Sequence, residues 1–121
     1  MSKDKDRSTQ TSTIDLNAEI DELRLHPALE AAGRVAKTLA IRSDLRILLT
    51  VIRKETRISE HKVPGSASVQ TLRGEIALHI DGEVTKLPAG SVLILEQEVA
   101  HDVVAEQDSA FLVAMGWHDK K

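Results

Sequence analysis

The sequence of 121 residues contains no cysteine, which excludes disulfides, thiolate nucleophiles, iron–sulfur clusters and cysteine-held zinc. Any metal would have to be held by His, carboxylate or amide ligands. Aromatic residues are nearly absent: Phe111 and Trp117 are the whole set, too few for base-stacking platforms or aromatic cages. No Lys/Arg stripe is present, and 16 basic against 19 acidic residues give a net charge of −3, so the field that gathers a polyanion is missing and no nucleic-acid partner is expected. No run approaches the ~18 apolar residues of a membrane span. The opening MSKDKDRSTQTST lacks the apolar stretch of a signal peptide, so a cytoplasmic location and no membrane partner are expected.

What is present suits one small domain: 41 % hydrophobic and 29 % charged residues supply a single interior and a solvated surface. Residues 1–13 carry no apolar side chain after Met1 and read as a flexible tail. Residues 14–33 read as a helical segment. Leu16, Ile20 and Leu23 fall at i, i+4 and i+7 behind a capping Asp15, which predicts a short amphipathic helix ended before Pro27.

From residue 34 to 118 the period changes to short alternating or β-branched runs, split by turn residues every ~8–12 positions. The runs are 34–41, 44–53, 56–62, 67–73, 75–81, 83–87, 91–95, 101–106 and 109–116. Asp81-Gly82 between two such runs predicts a type I′ hairpin, and Leu87-Pro88-Ala89-Gly90 a further turn. The run from Ile47 to Ile52 is apolar on both faces. It predicts a strand covered on one side by the opposite sheet and on the other by the helix or a second subunit.

Together His61, Gly74, Asp81-Gly82, Pro88-Ala89-Gly90 and His101 resemble the small single-domain members of the cupin superfamily, over about residues 34–117. That superfamily carries two motifs, G-x5-H-x-H-x3–4-E-x6-G and G-x5-P-x-G-x2-H-x3-N. The second lies on this chain without gaps from Gly90 to His101, with Glu96 in place of Pro, Glu98 in place of Gly and Ala105 in place of Asn. The first ends at Gly74 and puts Ala67 where its Glu belongs. Strict spacing makes His61 the first His, with Val63 in place of the second. A one-residue shift in the Val63-Pro64-Gly65-Ser66 loop would make it the second, with Ser59 in place of the first, and the Pro-Gly loop favours this shift.

The resemblance implies an all-β fold, a double-stranded β-helix or jelly-roll barrel with a short N-terminal α-helix outside it. It also implies a homodimer, for which the two-sided run 47–52 offers a physical motive. The family ordinarily holds a divalent metal with three His and one Glu, of which His61 and His101 survive here. The implied site is a small apolar pocket with these two imidazoles at its polar spot, binding a small ligand directly or a divalent transition metal such as Fe, Mn, Ni or Zn.

A third ligand would come from Gln70, or from Glu96, Glu98 or Asp102; period 2 sets Gln70 on the face opposite Ala67. A metal-dependent enzyme of dioxygenase or isomerase type is the alternative to a binding module. His79 is expected to face solvent if Leu78 and Ile80 face inward, and His26 and His118 to lie on the surface. Phe111, Met115 and Trp117 are expected in core and interface packing. Glu96-Gln97-Glu98 reads as a solvated turn, or as a carboxylate rim unfavourable to anions.

Overall fold

The computed structural model describes residues 11–116, without the side chains of residues 60 and 61. The expected tail lies mostly outside these residues, as do Trp117 and His118. Asp15 caps helix α1, Leu16–Arg24, by accepting a hydrogen bond from the Ala18 amide at 3.1 Å. Pro27 ends that segment and also begins a second helix, α2, Pro27–Ala32, which sequence reading did not separate from the first. A proline tolerates the first helical position, where its missing N–H has no partner to lose.

Nine strands follow: β1 Arg34–Ile41, β2 Leu45–Ile52, β3 Arg57–His61, β4 Ala67–Arg73, β5 Glu75–Ile80, β6 Glu83–Pro88, β7 Val92–Leu95, β8 His101–Ala105 and β9 Ser109–Gly116. Each falls on one of the nine expected runs. They form two antiparallel sheets, β1-β2-β9-β4-β7 and β3-β8-β5-β6, packed face to face. Asp81 and Gly82 take φ of 52° and 78°, the two left-handed residues of the expected hairpin, and join Ile80 to Glu83.

Two hydrophobic clusters hold the fold. Between the sheets lie Ile52, Val69, Ile76, Leu78, Leu95, Val103 and Phe111. Behind the five-stranded sheet, Ile20 and Leu23 of α1 cover Leu49 and Val51 of β2 and Ala110 of β9. Strand β2 is therefore dry on both faces, as its apolar run predicts. The cover is the chain's own helix, so the run supplies no motive for a second subunit. Lys37 Nζ meets Glu19 Oε1 at 2.6 Å and ties α1 to β1. That hydrogen bond to Glu19 raises the Lys37 pKa above its usual value.

A polar clasp closes one side of the sandwich. Thr71, fully buried, donates its hydroxyl to the Leu87 carbonyl at 2.9 Å, while its own carbonyl accepts from the Gly90 amide at 2.9 Å. The Leu87–Gly90 turn is thereby fastened to β4, which links the two sheets beside β6 and β7.

Candidate functional site

Opposite that clasp the sandwich encloses a cavity of about 540 Å³. Its walls are largely apolar: Leu48, Val69, Leu95, Val103, Phe111 and Val113 contribute from five strands. Arg34, Ala36 and Thr38 of β1 line it and are also exposed, so the cavity opens along that edge strand. Period 2 explains the selection, since residues 34, 36 and 38 share one face of β1, as residues 111, 113 and 115 share one face of β9. Phe111 and Met115 are core residues, as expected, and they are also cavity wall.

His101 is 8 % exposed and lines the cavity. Its Nδ1 lies 3.1 Å from the Val99 carbonyl oxygen. A carbonyl only accepts, so Nδ1 carries the proton; in the neutral ring the lone pair then sits on Nε2. The His61 backbone stands directly opposite His101 in the β3–β8 ladder, after an irregularity between Ile58 and His61. The topology thus brings together, on neighbouring strands, two residues forty positions apart in sequence. The His61 side chain lies outside the described parts.

The other candidate ligands do not join them. Gln70 is exposed and does not line the cavity, because Ala67, Val69 and Thr71 take the inner face of β4 and leave Gln70 the outer one. It is removed from the expected site. Asp102 follows His101 and turns outward, where Arg57 Nη2 meets its Oδ2 at 2.7 Å. Glu96 and Glu98 are exposed and line no part of the cavity, so the Glu96-Gln97-Glu98 turn forms no carboxylate rim over it. His79 is half-buried, and His26 is exposed and caps α2 by accepting from the Ala28 amide at 3.0 Å.

The backbone helps to align the motifs. Among the described non-glycine residues, φ is positive at Glu55 (72°), Asp81 and Glu98 (64°). Glu98 stands where the second motif has its inner Gly. Glu55 stands six residues before His61, where the first motif has its opening Gly on strict spacing. Both turns keep the left-handed conformation that glycine ordinarily serves. The strict count is therefore the better one: His61 takes the first His position and Val63 the second, in place of the loop-shifted assignment. Val63 and Ala67 both line the cavity, so apolar side chains stand where a His and a Glu ligand would be.

Sequence reading missed the cations on this wall. Arg34, Arg46 and Lys62 line the cavity with His101, and no Asp or Glu is found among its described lining residues. The three basic residues come from two strands and a loop, with no spacing that would group them beforehand.

Two sheets of nine antiparallel strands closing on a histidine-bearing interior are the double-stranded β-helix, and the chain has the cupin fold. No family model matches the sequence, and no curated protein does either. Solved structures do match. A conserved protein of unknown function from Streptococcus pyogenes is 23 % identical, with 91 % of this chain and 90 % of that one covered at a TM-score of 0.73. A cupin 2 conserved barrel domain protein from Leptotrichia buccalis is 27 % identical over 69 % of this chain and 41 % of its own, at a TM-score of 0.66. Salicylate 1,2-dioxygenase from Pseudoaminobacter salicylatoxidans is 23 % identical over 83 % of this chain and 32 % of its own, at a TM-score of 0.69. Among the described residues no helix is long and apolar enough to cross a membrane.

Proposed function

We propose that this protein binds a small organic molecule inside the barrel, with His101 as a polar anchor and His61 beside it on the neighbouring strand. One observation carries the reading: an apolar-walled cavity of about 540 Å³ has the buried His101 on its wall. That volume falls in the ~300–1,000 Å³ range of small-molecule sites, and apolar walls with few polar groups are their usual chemistry. A cytoplasmic location belongs to the same reading and rests on the composition.

The donor set does not fit a metal held in the family's manner. Among the described residues no three of His, Cys, Asp or Glu stand together in a way that could hold an ion. With His61 included the barrel offers two imidazoles, while Val63 and Ala67 add no donor; three protein ligands are the usual minimum for a catalytic site. A second reading, a metal-dependent enzyme with iron, manganese, nickel or zinc at His61 and His101, is favoured by the likeness to a dioxygenase.

Metal analysis of protein purified without a His tag, paired with a thermal-shift screen of small organic molecules, separates the two. Under the proposal the metal content is far below one ion per chain, and some molecules raise Tm in wild type but not in His101→Ala. About one ion per chain, lost in both His61→Ala and His101→Ala, would establish the second reading. No molecule raising Tm would overturn the first.

A further inference from the structure

We infer that the cavity selects a small organic carboxylate, with the carboxylate held among Arg46, Lys62 and His101 and an apolar body against the inner wall. This rests on the reading of the cavity as a ligand site and adds its charge preference. The chain as a whole is acidic, with 19 carboxylates against 16 cations, yet the cavity is lined by Arg34, Arg46 and Lys62 and by none of the described carboxylates. The Glu96-Glu98 pair that could have opposed them lies outside it.

The placement of these groups is specific. Arg46 and Ala67 are both register partners of Met115, so they occupy one row across three adjacent strands. At about 4.8 Å per strand their backbones lie about 10 Å apart, a span an arginine side chain largely covers. The position at which the family motif has an acidic ligand is thus a methyl group, and a guanidinium lines the same cavity two strands away. Lys62 directly follows β3, and the strand it leaves pairs with His101 at its end. Such a wall disfavours a divalent cation and favours an anion, whose charge is poorly screened within a low-dielectric enclosure.

The walls decide which anion. A guanidinium fork matches carboxylate and phosphate alike. Inorganic phosphate would lose hydration on the faces turned to Val69, Val103 and Phe111 and find no hydrogen-bond partner there. A carboxylate on an apolar body satisfies both parts of the cavity. Arg34, exposed on β1 at the opening, adds positive potential along the path of entry.

The test is a calorimetric or ligand-detected NMR titration of the full chain with two matched pairs, benzoate and benzamide, and octanoate and octanamide, with inorganic phosphate alongside. At least one carboxylate is expected to bind ten-fold or more tighter than its amide, and phosphate not at all. Arg46→Met keeps most of the side-chain stem; it should weaken the carboxylate ten-fold and leave the amide unchanged. If that variant fails to fold, Lys62→Gln on the exposed loop gives the same contrast at smaller size. Amides binding as well as acids, phosphate competing with them, or charge-removing variants without effect would overturn the inference while leaving the cavity as a ligand site. If no acid and no amide binds, both readings fall.

Discussion

Arg57 of β3 and Asp102 of β8 are joined on the outer face of the four-stranded sheet, Nη2 at 2.7 Å and Nε at 3.2 Å from the same carboxylate oxygen. Asp102 is the neighbour of His101, and alternation sends the two side chains to opposite faces. The pair therefore pins the outside of the stretch whose inside carries the imidazole. Its side chains are 49 % and 21 % exposed, so its direct contribution is that of a surface ion pair, about 0.2–1 kcal/mol. Arg57→Met should cost about that much in urea unfolding. It should also speed hydrogen exchange of the Val103 and Val104 amides more than those of the distant β2–β9 ladder.

Glu55 and Glu98 hold left-handed φ of 72° and 64°, which costs a side-chain-bearing residue about 1–2 kcal/mol relative to glycine. The greater freedom of glycine in the unfolded chain takes back part of that gain, about 0.4–1 kcal/mol. Glu55→Gly and Glu98→Gly should each stabilise by about 0.5–1 kcal/mol. Urea midpoints with unchanged m values would show it, and loss of stability in both would contradict the strain argument.

Two glycines with nearly equal φ give an internal control. At Gly74 an added Cβ would collide with the Asp108 carbonyl oxygen and the Ser109 hydroxyl, whereas at Gly82 it meets nothing within 4 Å. Gly82→Ala should cost only the conformational term, about 1 kcal/mol. Gly74→Ala should cost several times as much, because Ser109 Oγ also accepts from the Glu75 amide at 3.0 Å and would have to move. Equal melting temperatures for the two variants would refute the packing account.

Ile20 is 1 % exposed and is the largest side chain that α1 seats on β2. Truncation to Ala removes a buried aliphatic group beside Leu49 and Val51, so a loss of about 2–5 kcal/mol is expected in chemical denaturation. Ala18→Ser on the exposed face of the same helix should change stability by no more than about 0.5 kcal/mol.

The strands were legible because their periodicity is clean and their turns carry residues of specific backbone need: Asp81-Gly82 announces a hairpin by composition alone. Pro27 was half legible. It marks a break as well as a start, and only the cap from His26 distinguishes them. The left-handed residues at Glu55 and Glu98 could not be read from residue type, since glutamate rarely occupies that region; they emerge only against the spacing of the motifs. His101 was legible through its distance from Gly90. Gln70 failed by strand parity, a conflict already visible in its offset from Ala67. The basic lining was hidden because Arg34, Arg46 and Lys62 come from separate segments that only barrel closure gathers.

The Thr71 hydroxyl bridge to Leu87 fastens the sandwich beside β6 and β7, while the cavity opens along β1 on the far side. The two sheets are thus hinged at one seam and unlaced at the other. Breathing of the domain should part the β1 margin first, admitting and releasing guests without unzipping the seam. The barrier to exchange of a bound molecule would then be set by strand β1 and its tether to the helix.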